Sequence, residues 1–300
     1  MKEIVIISGK GGTGKTVLCA SFAALAENAA VADCDVDAAN LHLLLHPTVK
    51  KTHTFYGNKT ARIIQENCTQ CRECLNTCRF DAILSAGDEI SIDPLSCEGC
   101  EVCSHICPTE AIVMEETISG EWFESETKYG DFIHARLGIA QENSGKLVTE
   151  VRKRSRELAK KNKRELILID GPPGIGCPVI ASLSGTTYAL VVTEPTLSGM
   201  HDMKRVIETA RHFQTQSACC INKFDINPQN SEKIESWCRQ KRIPMLGKIP
   251  FDENVIRSTV NGVPLVEMSQ SPTSDKIRNI WTQLNLLLNK ETPSHENQKK

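Results

Sequence analysis

Eight residues near the start of the chain, Gly9-Lys10-Gly11-Gly12-Thr13-Gly14-Lys15-Thr16, leave little freedom for the fold around them. They satisfy G-x-x-x-x-G-K-[ST], and they lie between a strand-like apolar run, "EIVIIS" at 3–8, and a helical stretch at 15–27. Glycines at this spacing let the backbone curl until its N–H groups converge, and the helix that follows points its positive end at the same place. That is a cradle for phosphate, in which Lys15 reaches the β and γ groups of a nucleotide and Thr16 takes Mg²⁺.

The rest of the sequence keeps the strand–helix alternation. Apolar runs at 29–35, 165–170, 188–194, 217–225 and 244–250 read as further strands, and 145–163, 199–213, 228–241 and 273–289 as further helices. Near-continuous apolar character predicts strands buried on both faces, as in a parallel sheet. The fold class is therefore α/β, a doubly wound, mostly parallel sheet. The alternation stops between 57 and 117, where eight of the 14 cysteines crowd together, and then resumes. The expected organisation is one nucleotide-binding domain in two parts, 1–56 and 118–290, an insert at 57–117, and a polar tail at 291–300.

Charge and apolar patterning narrow the setting. With 35 basic and 37 acidic residues the net charge is −2, which supports neither a nucleic-acid-binding face nor stable membrane association. The apolar run Ile4–Ile7 is too short for a signal peptide, and no stretch approaches the ~20 residues of a membrane span. The expected location is the cytoplasm, where 14 cysteines argue for metal or redox chemistry and against a disulfide framework.

The insert is a repeat. Cys68, Cys71, Cys74 and Cys78 recur 29 residues later as Cys97, Cys100, Cys103 and Cys107, and Asp81-Ala82-Ile83 recurs as Glu110-Ala111-Ile112. Each half has C-x2-C-x2-C-x3-C spacing, which wraps three soft thiolates round one corner of a [4Fe–4S] cube while a distant cysteine closes it. C-x2-C pairs also serve structural zinc, although two intact four-cysteine runs are rare in zinc modules. The pattern resembles a bacterial-type two-cluster ferredoxin, a small α+β domain. That resemblance assigns Cys68, Cys71, Cys74 and Cys107 to one [4Fe–4S] cluster, and Cys78, Cys97, Cys100 and Cys103 to the other. Arg79 departs from it by standing where a proline usually follows the fourth cysteine.

The outer segments resemble another family. Lys10 turns the phosphate loop into K-G-G-x-G-K-T, the deviant Walker A of the MinD/ParA/Mrp ATPases. "DCDVDAANLHLLL" (33–45), "LILIDGPPGIG" (166–176) and "CINKFD" (220–225) match that class in the same order. The resemblance implies ATP as ligand and a dimer, of two copies or of one copy with a paralogue, closing over nucleotide. In it Lys10 reaches the partner's phosphates, Asp35 orients the attacking water, Asp170 joins Thr16 and Asp35 around Mg²⁺, and Asn222 touches adenine. Asp33 and Asp37 are open between structural and metal-side roles. Ser144 reads as a helix cap and the basic residues 152–164 as a solvated helix face. Cys19, Cys34, Cys219, Cys220 and Cys238 read as packed thiols, with Cys177 alone beside a loop of the site.

Three functions follow. The first is maturation of metal clusters or cofactors, and the second is electron transfer gated by nucleotide-dependent closure. Either needs a redox or cofactor acceptor protein as partner. The third is a MinD- or ParA-type positioning ATPase whose insert senses redox state; the absence of a basic amphipathic C-terminal helix or a basic patch weighs against it.

Overall fold

A computed structural model describes residues 1–87, 89–138, 144–268 and 270–290. The strands are β1 (Lys2–Ser8), β2 (Ala29–Asp33), β3 (Thr48–Ile63), β4 (Ile83–Ala86), β5 (Glu89–Ile92), β6 (Ile112–Thr127), β7 (Gly130–Leu137), β8 (Leu166–Pro173), β9 (Tyr188–Thr193), β10 (Gln216–Asn222) and β11 (Met245–Ile249). The helices are α1 (Lys15–Leu25), α2 (His42–Leu45), α3 (Glu73–Thr77), α4 (Val102–Ile106), α5 (Ser144–Lys161), α6 (Cys177–Leu183), α7 (Leu197–His212), α8 (Pro228–Gln240), α9 (Glu253–Asn261), α10 (Leu265–Met268) and α11 (Pro272–Lys290). The chain divides into two compact units: Met1–Thr52, Trp122–Arg136 and Ser144–Lys300 form the first, and His53–Glu121 with Leu137–Asn143 form the second. The insert bounds drawn from the sequence, 57 and 117, fall a few residues inside the second unit.

The first unit is α/β. Its sheet runs β11-β10-β9-β1-β8-β2-β7, followed by β6 and β3. The pairs β10–β11, β9–β10, β1–β9, β1–β8, β2–β8 and β2–β7 are all parallel. Ile4 to Ile7 of β1 and Tyr188 to Val192 of β9 are buried almost completely, which is why they read as unbroken apolar runs. Helix starts carry their own signals: Thr196 accepts from Gly199 N at 3.0 Å, and Asn227 accepts from Asn230 N at 3.0 Å ahead of Pro228. Ser144 is the first residue of α5, and the segment before it lies outside the described residues, as does the tail 291–300.

The stretch after α2 is the 16-residue strand β3, which no apolar run marks in the sequence. Its first half is exposed and charged, with Lys50 2.9 Å from Glu126 and Lys51 3.3 Å from Glu124. An edge strand of this kind presents no apolar run to read. The basic face of α5 is not simply solvated. Arg152 is buried and, with Arg156, grips the carboxylate of Glu3, at 2.7 Å and 2.9 Å to Oε2. Burial pushes the Glu3 pKa up, but the two guanidinium groups outweigh it and hold the carboxyl below its ordinary range.

The second unit repeats itself in space. Helices α3 and α4 are offset by 29 residues, and so are the left-handed backbones at Gln70 and Gly99 (φ 57° and 66°), Arg72 and Glu101 (64° and 66°), and Asp81 and Glu110 (52° and 51°). Ile63, Ile83, Ile90 and Ile112 form its core, with Cys68, Cys78, Cys97, Cys103 and Cys107 packed against it. Gly99 is required twice over, by its positive φ and because a Cβ there would sit 2.2 Å from the Lys59 carbonyl oxygen.

One side chain in the first unit ties stability to pH. His134 on β7 is stacked between Phe123 and Phe132, with centroids at 4.8 Å and 4.6 Å. His42 stacks at 6.1 Å, and Ser125 Oγ lies 3.0 Å from Nε2. Burial, with help from His42, lowers the His134 pKa to about 4. The unfolded chain therefore takes up a proton near pH 6.5 that the folded one refuses, and stability drops as pH falls from about 6.5 to about 4. The expected loss is on the order of 3 kcal/mol. Because Asp170 contributes an opposite slope over the same range, the test is a difference: urea unfolding of the wild type minus that of His134→Phe should fall from about pH 6.5 to about 4, and no difference between the two would assign the effect elsewhere.

Candidate functional site

The glycine-rich loop leaves β1 and enters α1 through Gly12 and Gly14, both left-handed at φ 75° and 90°. A Cβ on Gly14 would meet Asn222 Nδ2 at 2.5 Å. Asn222, at the end of β10, braces the loop: its Nδ2 donates to the Thr13 carbonyl at 2.8 Å, and its Oδ1 accepts from Lys223 N at 3.0 Å. The loop borders a cavity of about 620 Å³, within the range of ligand sites. Gly11, Gly12, Gly14, Lys15 and Thr16 line it, facing Asp35, Asp37 and Asn222.

Beside the loop, strand ends set out the charges. Asp33 and Asp170 are neighbours in the β2–β8 register and both are fully buried. Asp33 accepts from Asp35 N at 3.1 Å and from Leu41 N at 3.2 Å, so it shapes the segment that presents Asp35. Its role is structural. Neither oxygen of Asp170 makes a well-formed hydrogen bond, although the Thr16 hydroxyl lies near enough to favour ionisation. Burial drives the Asp170 pKa up to about 7, partly countered by Lys15. Asp35 is raised by burial and eased by the same lysine. Buried carboxylate oxygens without partners, next to a hydroxyl and a phosphate cradle, fit Mg²⁺, which binds through one or two carboxylates and substrate phosphates.

Lys10 has a partner within its own chain. Its ammonium sits 3.0 Å from Glu194 Oε2 and 3.4 Å from Thr196 Oγ1, while Lys223 holds Glu194 Oε1 at 2.6 Å. Burial raises the Glu194 pKa, but the two lysines overcome it and keep the group ionised. Glu194 escaped the sequence reading, as did the far wall of the cavity, Pro250, Phe251, Val255 and Ile256. The "NKFD" tail supplied a hint: Asp225 Oδ1 accepts from Phe251 N at 2.8 Å and so positions that wall.

The second unit gathers its thiols in two fours. Cys68, Cys71, Cys74 and Cys107 line one hollow, and Cys78, Cys97, Cys100 and Cys103 line the other. Each fourth cysteine thus sits with the three from the opposite half. Alternating left-handed residues are the backbone pattern of nests that suit anions and iron–sulfur sites. Ala111 N–H donates to Cys107 Sγ at 3.3 Å and Ala61 N–H to Cys97 Sγ at 3.5 Å. Burial raises the Cys107 thiol, yet the N–H groups of Thr109 and Ala111 hold it below its usual pKa. Among the described residues no three His, Cys, Asp or Glu side chains converge on a point fit for a single metal ion. Of the other cysteines, Cys19, Cys34, Cys219, Cys220 and Cys238 are buried, and Cys177 is exposed at the start of α6.

Comparison with known sequences decides the family, since the CobQ/CobB/MinD/ParA nucleotide binding domain matches residues 4–265. The chain belongs to that family. An uncharacterized protein of Methanocaldococcus jannaschii, MJ0578, is 35% identical over 94% of this chain and 96% of its own. The septum site-determining protein MinD of Pyrococcus horikoshii, solved with Mg-ADP, shares the fold at a TM-score of 0.57 and 19% identity, over 96% of this chain and 97% of its own. A short segment of 49 residues, 16% of this chain, is 47% identical to 8% of the indolepyruvate oxidoreductase subunit IorA of Archaeoglobus fulgidus. No helix among the described residues is long and apolar enough to cross a membrane.

The raised pKa of Asp170 makes a two-sided prediction. Its ionisation is disfavoured in the folded state, so the group costs stability as pH rises from about 4 toward 7. Asp170→Asn should stabilise the nucleotide-free protein by roughly 1–2 kcal/mol at pH 8, and by less at pH 5. It should also remove the Mg²⁺-dependent part of nucleotide affinity. Thermal unfolding with and without Mg-ADP reads both, and a variant less stable at pH 8 would contradict this account of the site.

Proposed function

We propose that this protein is an ATPase carrying two [4Fe–4S] clusters, which couples nucleotide-dependent closure of a dimer to electron transfer or to metal-cofactor maturation. The observation that carries the iron–sulfur half is the four-and-four grouping of thiols, with Cys107 and Cys78 exchanged between the repeats. Four thiolates round a single zinc would have to approach one another to about 3.8 Å, given a Zn–S bond of about 2.3 Å. The hollow of Cys78, Cys97, Cys100 and Cys103, at about 410 Å³, has room for a larger inorganic core, whereas that of Cys68, Cys71, Cys74 and Cys107 is far smaller, at about 10 Å³. When bound, the clusters supply one-electron chemistry, and the chain contributes thiolates, inward N–H groups and an apolar surround.

The nucleotide half rests on the loop and its surroundings. Lys15 and the loop N–H groups bind phosphates, Thr16 and Asp170 are the groups that would hold Mg²⁺ with Asp35 beside them, and Asp35 orients water. Asn222 keeps one N–H and one lone pair for a base. Lys10 in the phosphate loop, the mark of the resembling ATPases, is what favours ATP. For Lys10 to reach the phosphates of a partner it must leave Glu194, which Lys223 would still hold at 2.6 Å, so the carboxylate is not left unpaired. Hydrolysis then waits for closure, because only the closed dimer completes the positive charge around the transferring phosphoryl group.

The likeness to MinD favours a second reading, a positioning ATPase whose insert senses redox state. Two assays test the proposal. Anaerobically purified protein should contain about eight iron and eight sulfide per chain; stoichiometric zinc without visible absorption would end the iron–sulfur reading. Lys10→Ala should bind ATP with nearly wild-type affinity and lose ATP-dependent dimerisation and hydrolysis, whereas Lys15→Ala should lose binding itself. Wild-type turnover in Lys10→Ala would remove the role given to a partner's lysine.

A further inference from the structure

The two halves of the second unit are repeats in sequence and backbone, so a difference between their hollows belongs to individual side chains. Both hollows reach the surface, with Cys100 exposed in one and Cys71 in the other. The hollow of Cys78, Cys97, Cys100 and Cys103 is rimmed by Phe80 and Val102, which are 46% and 43% exposed. At the same repeat positions, 29 residues away, the hollow of Cys68, Cys71, Cys74 and Cys107 is rimmed by Thr109 and Glu73. One hollow thus has an apolar lip in contact with solvent, and the other a polar lip.

We infer that the hollow of Cys78, Cys97, Cys100 and Cys103 is the port through which the unit passes electrons, and that Phe80 and Val102 dock a redox protein bearing basic side chains around an apolar patch. The inference rests on the iron–sulfur reading above. Exposed apolar side chains beside charge mark association surfaces, with the apolar part at the centre and charge at the rim. The sign of the partner follows from the unit: residues 53–121 carry twelve carboxylates against four basic side chains, and Glu98 and Glu101 line this hollow against Arg79. Complementary charge steers encounter and sets orientation, while the apolar contact holds the complex. The step is a single electron leaving a reduced cluster for an oxidised acceptor, with no bond made or broken.

The probe is cytochrome c, a basic haem protein, with an acidic flavodoxin as control. Iron and sulfide are measured first on each anaerobic preparation; a wild-type protein without them overturns the iron–sulfur reading and this inference with it. Binding is then followed by calorimetry between oxidised protein and ferric cytochrome, where no electron moves, and transfer by stopped flow from dithionite-reduced protein. Phe80→Thr with Val102→Thr should weaken cytochrome binding about tenfold and slow transfer in proportion, with cluster midpoint potentials unchanged. Glu98→Gln should flatten the salt dependence of the transfer rate. The control Thr109→Val with Glu73→Gln, on the other hollow, should change binding less than twofold. If the double variant loses iron, Val102→Thr alone carries the same comparison. Equal effects from both rims, insensitivity to both, or equal rates to flavodoxin would overturn the assignment.

Discussion

Two carboxylates ending adjacent strands, Asp33 and Asp170, are the constraint on which the nucleotide site is built. They lie side by side in the β2–β8 register with no exposure to solvent; burial raises the pKa of both, and the charge of Asp170 adds to the rise at Asp33. Their roles divide cleanly. Asp33 uses its oxygens to hold Asp35 and Leu41 N–H groups, and so fixes the segment that carries Asp35. Asp170 keeps its oxygens free behind Lys15 and Thr16. A fold that tolerates an unpaired buried carboxylate is giving up stability at the point where a metal and phosphates would restore it. The continuous apolar strands on either side, β1 and β9 above all, supply the burial that offsets this cost.

Much of this was legible in the sequence because the same physics writes both. Strands buried on both faces must be apolar throughout, so β1, β2, β8, β9, β10 and β11 stood out as runs. The loop required glycine at two left-handed positions, and glycine is there. What stayed hidden was built from polar alternation. β3 opens with Thr48-Val49-Lys50-Lys51, exposed and paired by charge across to β6, and nothing in that stretch separates an edge strand from a loop. Asp33 and Asp35 are indistinguishable as letters two apart; only burial assigns one to the scaffold and the other to the cavity. Glu194 was hidden for a related reason. A carboxylate 184 residues from Lys10 becomes its partner only when β9 and the loop after β1 are brought together.

The second unit shows the opposite case, in which sequence spacing and spatial arrangement carry the same message. Left-handed backbone recurs at 70 and 99, 72 and 101, and 81 and 110, the offset at which the cysteines recur. Outside glycine such conformations are held only where the surroundings demand them. The repeat was visible in the letters. Its asymmetry, an apolar lip on one hollow and a polar lip on the other, needed the structure to gain meaning.

A phosphate cradle and a thiol-lined repeat in one chain make sense together if binding at one changes free energy at the other. Typical couplings of ~1–3 kcal/mol shift an affinity 5–150-fold, and linkage requires the effect to be reciprocal. The direct measurement is an anaerobic ATP titration of the oxidised and the reduced protein, set beside midpoint potentials with and without nucleotide. The account predicts two different ATP affinities, and a potential shift of matching sign and size. Equal affinities together with equal potentials would mean that the two units share a chain without exchanging free energy through redox state.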